Sequence, residues 1–145
     1  MQMKAPILAL FLACSPLLAV ADVSSEQQSI EHLMRHNFER PDAPLDVGPV
    51  TVEGDHAVAG WLQDQRGGRA LLRKGPQGWR VVLCAGDSLL EAKTLRSAGL
   101  DESTAAQLSR AVRKAESTQP AQRVKQFALF QGVVKVERDA AHGNH

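Results

Sequence analysis

Sulfur-containing and aromatic side chains are scarce in this sequence. Its 145 residues include two cysteines, three methionines, two tryptophans, four phenylalanines and no tyrosine. There is no Cys-x-x-Cys pair, no Gly-rich phosphate-binding loop and no serine in a nucleophile elbow. With these motifs absent, we expect no enzymatic activity, and branched aliphatic residues and alanine must fill most of the core.

Charged residues are absent from positions 5–20, an apolar run that follows Lys4. A basic start, an apolar stretch and the small residues of Ala19-Val20-Ala21 are typical of a secretory signal peptide. The run is shorter than the ~20 residues of a membrane-spanning helix. We therefore expect 1–21 to be cleaved off, which predicts a periplasmic protein with no membrane insertion after cleavage.

A second interpretation of this region is a lipoprotein. The string Phe11-Leu12-Ala13-Cys14 loosely resembles a lipobox, so Cys14 is the alternative processing site. The apolar stretch continues past Cys14 to Val20, whereas a lipoprotein usually becomes polar at that point. Cleavage after Ala21 is therefore the preferred prediction.

An excess of either charge is also missing. Cleavage after Ala21 would remove Lys4 and leave 16 basic and 16 acidic residues. This balance favours neither nucleic acid nor an anionic membrane as a partner.

Cleavage would also leave Cys84 as the only thiol, which is unusual in an oxidising compartment.

Periodicity predicts a helix, a set of strands and then further helices. The first helix is expected over 25–39, where Ser25 and Gln28 form a capping-box pattern. Short turn-rich connections separate four predicted strands at 47–53, 56–63, 68–74 and 78–84. Asp87 and Asp101 are expected to cap helices over 88–98 and 102–117, a third segment begins at Pro120, and 130–136 is a candidate edge strand.

This order of elements predicts an α+β fold: an N-terminal helix, a four-stranded antiparallel meander, then two or three helices packed on one sheet face. We expect one domain over 22–136. The segment 137–145 shows no pattern and is predicted to be a flexible tail that carries His142 and His145, possible weak copper or nickel ligands.

Histidines are the first candidate metal ligands. On the predicted helix, His32 and His36 lie opposite the apolar face that includes Met34, and Glu39 follows on the same exposed ridge. Imidazoles at i and i+4 with a nearby carboxylate are a possible site for a divalent transition metal. The alternative is a pair of solvated histidines on a polar face.

Cys84 is the second candidate, at the end of a predicted strand and just before a predicted helix. Strict alternation places Cys84 on the face of Arg80, opposite Trp79, Val81 and Leu83. A helix N-terminus would stabilise a thiolate, a ligand suited to a soft metal such as Cu(I). The alternative is a half-buried structural thiol. His56, at the start of the second strand, is either a ligand or a turn residue.

Several strings in the middle of the chain occur together: Phe38-Glu39-Arg40-Pro41-Asp42-Ala43-Pro44-Leu45, Gly54-Asp55-His56-Ala57-Val58-Ala59-Gly60-Trp61, Gly67-Gly68-Arg69-Ala70-Leu71-Leu72-Arg73 and Cys84-Ala85-Gly86-Asp87. With Phe127-x-x-Phe130-x-Gly132-x-Val134, this set resembles the small periplasmic copper uptake system-associated proteins of proteobacteria. The resemblance covers about residues 30–136.

This resemblance implies an accessory role beside copper import, with envelope components of copper uptake as partners and copper as the metal. The family brings no defined ligand set. His56 and Cys84 fall inside the family-like strings, while His32 and His36 lie at their margin. Two alternatives stay open: a metal-free interaction module that serves a transporter or receptor, and a small ligand-binding α+β domain.

Overall fold

The computed structural model describes residues 2–3 and 18–136, with side chains described from residue 22 in the second range. Most of the expected signal peptide, including Cys14, lies outside the described residues, as does the predicted tail with His142 and His145. The helices are α1 (Leu18–Phe38), α2 (Ala92–Ser97), α3 (Glu102–Ser117) and α4 (Ala121–Phe127). The strands are β1 (Asp46–Glu53), β2 (His56–Gln63), β3 (Arg66–Gly75), β4 (Gly78–Ala85) and β5 (Val133–Lys135).

Each strand pairs antiparallel with the next, in the order β1-β2-β3-β4-β5. The connections between β1 and β4 are tight turns, and Gly54 and Gly78 adopt φ values of +60° and +100° in them. Glycine adopts this region without a steric penalty, which is why these positions can reverse the chain. The predicted four-stranded meander is confirmed, and β5 is added at its edge.

The sheet is covered on both faces, which confirms the α+β class. The helices that follow the meander lie together on one face, while α1 occupies the other. The α1 layer is built from Ile30, Met34, Leu45, Val47, Ala57, Ala59, Ala70, Leu72, Val81 and Cys84. The α3 layer is built from Val58, Leu71, Leu83, Ala85, Leu89, Leu95, Leu100, Ala105, Leu108 and Val112. Burial of each large aliphatic side chain contributes about 1.5–3 kcal/mol.

Helix ends show where the sequence patterns were reliable. Asp101 caps α3, since its carboxylate accepts the Thr104 N–H at 3.1 Å. The predicted 88–98 helix is instead a 3₁₀ turn at Asp87–Leu90 followed by α2, because Glu91 is extended between them. Asp87 makes no capping bond there; its carboxylate accepts from Arg69 at 3.1 Å. α1 begins at Leu18, ahead of the predicted cap at Ser25.

A β-bulge in β4 overturns the predicted orientation of Cys84. Leu71 pairs with Leu83 and Leu72 pairs with Val81, so Val82 is an extra residue. A bulge places two consecutive residues on the same side and shifts the alternation that follows. Cys84 therefore lies with Val81 and Trp79 in the α1 layer, not on the face of Arg80.

A buried ion pair holds α3 against the sheet. Arg69 is fully buried, and its guanidinium donates to the Glu116 carboxylate at 2.7 and 2.6 Å. The guanidinium groups of Arg69 and Arg123 both contact the Phe127 ring, each 5.5 Å from its centroid. Arg123 in turn donates to Asp46 at 2.7 Å, which joins α4 to β1.

Close approach of α4 to the sheet depends on glycine. A Cβ on Gly60 would lie 2.5 Å from Cζ of Phe127, and a Cβ on Gly67 would lie 2.5 Å from the Gln126 carbonyl oxygen. No side chain fits at these distances without displacement of the helix. Gly60 and Gly67 thus have a packing role.

Candidate metal-binding residues

Two of the four predicted ligands are brought together by α1. His32 and His36 are one turn apart on this helix, and both are exposed. Their ring centroids are 6.5 Å apart and the ring planes differ by 18°. Neighbouring imidazoles in this arrangement offer two nitrogen ligands on one side of the helix.

A groove of about 480 Å³ runs between α1 and the β3–β4 hairpin, and both histidines line it. The other lining residues are Glu26, Ser29, Leu33, Lys74, Gln77, Gly78 and Trp79. The Glu26 carboxylate joins the two walls because it accepts from Lys74 Nζ and from Trp79 Nε1. The hydrogen bond from Lys74, followed by that from Trp79, lowers the pKa of Glu26. The groove is therefore a defined surface with a fixed carboxylate at one end.

Glu39, the carboxylate predicted to accompany the two histidines, does not line this groove. Its Oε2 accepts the backbone N–H of Leu45 at 2.9 Å. The side chain thereby ties the end of α1 to the loop before β1. The histidine pair consequently faces the groove without Glu39.

His56 lies on the opposite side of the sheet from α1. Its neighbour Ala57 belongs to the α1 layer, so alternation directs His56 toward the α3 layer. The side chain is 14% exposed, and its Nδ1 is 2.8 Å from Asp55 Oδ1 but outside hydrogen-bond geometry. No other predicted ligand is positioned next to it.

Cys84 is 9% exposed in the α1 layer and pairs with Ala70 of β3. Burial raises the pKa of its thiol to about 11, because the thiolate is poorly solvated there. The expected helix-stabilised thiolate is therefore wrong: only a four-residue 3₁₀ turn follows the strand. Cys84 and His56 face opposite sides of the sheet and do not share a site.

A residue that the sequence did not nominate lies near Cys84. An internal cavity of about 60 Å³ is lined by Met34, Phe38, Leu45, Trp61, Gln63 and Cys84. Within 22–136, Met34 and Cys84 are the only sulfur-containing residues. Their proximity depends on the packing of α1 over β4 and on the bulge, and neither leaves a local signal in the sequence.

Across residues 2–3 and 18–136, no group of three or more His, Cys, Asp or Glu side chains is arranged to hold a metal ion. In the same part of the chain, no helix is long and apolar enough to cross a membrane. No family model, curated protein or solved structure matches the chain.

Proposed function

We propose that this protein is a periplasmic accessory of copper uptake that binds one Cu(II) ion through His32 and His36. The observation that carries this proposal is the placement of both imidazoles on the same wall of the groove between α1 and the β3–β4 hairpin. Neutral imidazole suits Cu(II), which binds nitrogen sites more tightly than the other common divalent metals.

Two protein ligands leave coordination positions of the ion open toward the groove. With copper bound, those positions would be open to water or to a donor group of a partner. A two-ligand site also releases its ion readily, as an accessory that passes copper onward requires. The partners in this proposal are envelope components of copper uptake.

Location and partner class are supported by the sequence. The charge pattern of 1–21 is that of a secretory signal peptide, and the strings between residues 30 and 136 resemble those of copper uptake system-associated proteins. The balanced charge of 22–145 gives no support for nucleic acid as a partner.

The proposal is tested by Cu(II) titration of the purified protein, followed by quenching of Trp79 fluorescence in the same groove. The wild type is expected to bind one ion here, and His32→Ala/His36→Ala is expected to lower the affinity at least tenfold. The control is His56→Ala, which removes an imidazole on the other side of the sheet. A His142→Ala/His145→Ala variant shows whether any of the bound Cu(II) is held by those two histidines instead.

Equal affinity in the wild type and in His32→Ala/His36→Ala would contradict the proposal, as would a loss of affinity limited to His142→Ala/His145→Ala. Circular dichroism of each variant checks that the fold is unchanged, which is expected because both helix residues are exposed.

A metal-free interaction module is the second candidate, and the β5 edge favours it. Val133 and Val134 are half-exposed on this three-residue strand, whose recorded pairing is with β4. An extended segment of a partner can add to such an edge. Recovery of the same envelope partner with and without a metal chelator, and its loss in Val134→Asp, would support this function over the first. The small-ligand alternative has less support: the 60 Å³ cavity is far below the ~300–1,000 Å³ of typical ligand pockets, and the 480 Å³ groove is within that range but is an open surface groove rather than an enclosed pocket.

A further inference from the structure

The last described residue, Val136, lies close to the histidine pair. It packs against the α1 layer and lines a space of about 140 Å³ with residues of α1 and β4, namely Asn37, Phe38, Arg80 and Val81. Asn37 directly follows His36, which lines the groove between α1 and the β3–β4 hairpin. The segment that begins at 137 therefore starts beside this groove.

The outer edge of β4 continues from Val136 toward the same groove. β5 pairs with residues 83–85 of β4, and the Val136 N–H extends the pairing by donating to the Val82 carbonyl oxygen at 2.9 Å. Within the described residues, no strand lies beside this edge from Gly78 to Val81. The N–H and C=O groups of such an edge can pair with an extended segment.

We propose that residues 137–142 continue β5 along this edge and bring His142 to His32 and His36, as the third ligand of a divalent transition-metal ion. Six residues of extended chain span about 20 Å, and β4 has only four residues from Val81 to Gly78, where it lines the groove. The inference rests on the proposed function for the histidine pair and adds a ligand to it. Neutral imidazole is a common ligand of zinc, nickel and copper ions, so the class of metal follows from the ligands themselves.

Alternation along the extended strand selects His142 as the ligand. Val136 faces the α1 layer, so positions 138, 140 and 142 face the same way in a regular strand. This is the side of the sheet on which α1 carries His32 and His36. By the same count His145 falls on the opposite side, which makes it the matched control.

The charges on the other side of the strand support the same register. Arg73 and Arg80 are directly opposite each other on β3 and β4, and both are exposed. Neither has an ion-pair partner within the described residues, and like charges at opposite positions destabilise a sheet. Alternation places Glu137 and Asp139 on the face of Arg80, away from α1. Their carboxylates would compensate this positive charge.

Hydrogen exchange tests the strand extension without a metal. Since the Val136 N–H points to β4, the N–H of Ala140 points to β4 and that of Ala141 points outward in the proposed strand. Proline has no N–H, so Ala140→Pro is expected to speed amide exchange in 78–82 by about tenfold, while Ala141→Pro leaves it unchanged. Equal exchange in the wild type and Ala140→Pro would overturn the inference.

Calorimetric titration with Zn(II) tests the ligand. The wild type is expected to bind one Zn(II) at this site, and loss of one of three imidazoles in His142→Ala is expected to weaken binding by about tenfold or more. Ala140→Pro is expected to weaken it similarly, because the strand no longer positions His142. His145→Ala is expected to match the wild type. Circular dichroism checks that each variant is folded.

The outcomes separate this inference from the proposed function. Zn(II) affinity that falls in His32→Ala/His36→Ala but keeps its wild-type value in His142→Ala would overturn the inference and leave the proposed function standing. An equal loss in His142→Ala and His145→Ala would also overturn it, because the strand register would not then select His142. Zn(II) binding that needs His142, together with no Cu(II) binding, would support the inference and remove the proposed function in copper uptake.

Discussion

The two faces of the sheet are built differently. The α3 layer encloses an ion pair in which the fully buried Arg69 meets Glu116 through two hydrogen bonds. The α1 layer keeps an internal cavity, and a groove with two imidazoles lies beside it. The α3 side thus contains a paired buried charge, whereas three of the four predicted ligands, His32, His36 and Cys84, lie on the α1 side.

The largest effect is expected from Glu116→Gln on the α3 side. Loss of the carboxylate leaves the Arg69 charge buried with only Asp87 as an acidic partner. Removal of one member of a buried pair costs about 3–5 kcal/mol of unfolding free energy, measurable by urea denaturation. The control is Glu102→Gln, because Glu102 is exposed and lies 3.8 Å from Arg96. Equal stability of the two variants would show that the α3 side does not depend on this pair.

A smaller effect is expected from Gly60→Ala. The added methyl group would meet the Phe127 ring at 2.5 Å, and this ring is fully buried, with two guanidinium groups 5.5 Å from its centroid. Overpacking of this kind costs about 1–3 kcal/mol, which thermal unfolding would detect. Gly75→Ala is the matched control, since a Cβ there meets no atom within 4 Å. If both substitutions are neutral, α4 is free to move away from the sheet.

The smallest effect is expected at the groove. Glu26→Gln removes a partly exposed pair with Lys74, worth at most about 1 kcal/mol. Since hydrogen bonds lower the pKa of Glu26 below its usual 4.5 in the folded protein, its contribution is present at neutral pH and is lost as the pH falls through the folded pKa. The stability difference between wild type and variant should therefore shrink between pH 7 and pH 3. A stability difference that persists at pH 3 would indicate that Glu26 stabilises the fold through packing and not through its charge.

Local patterns predicted most of the secondary structure. α3 occupies the predicted 102–117, because Asp101 provides the expected cap. The exposed positions of His32 and His36 also followed from helical periodicity. These features depend on neighbours within four residues, so one sequence contains the information.

Contacts between distant parts of the chain were not predictable in this way. Arg69 and Glu116 are 47 positions apart, and no local sequence pattern identifies either residue as the partner of the other. That Met34 and Cys84 line the same cavity depends on the position of α1 over the sheet and on the bulge in β4. The break at Glu91 replaced a regular helix with two short ones, and the sequence offered no glycine or proline to mark it.

Val82 has a consequence for how related chains are compared. In a strand, the inward or outward direction of a residue is set by counting, and the extra residue at the bulge changes the parity of every position after it. A chain that lacks this residue and has a regular β4 would still direct its own cysteine toward α1, because the residues on both sides of the bulge keep their partners on β3. Alignments should therefore place the gap at Val82, because a gap elsewhere in β4 would equate residues that face different layers.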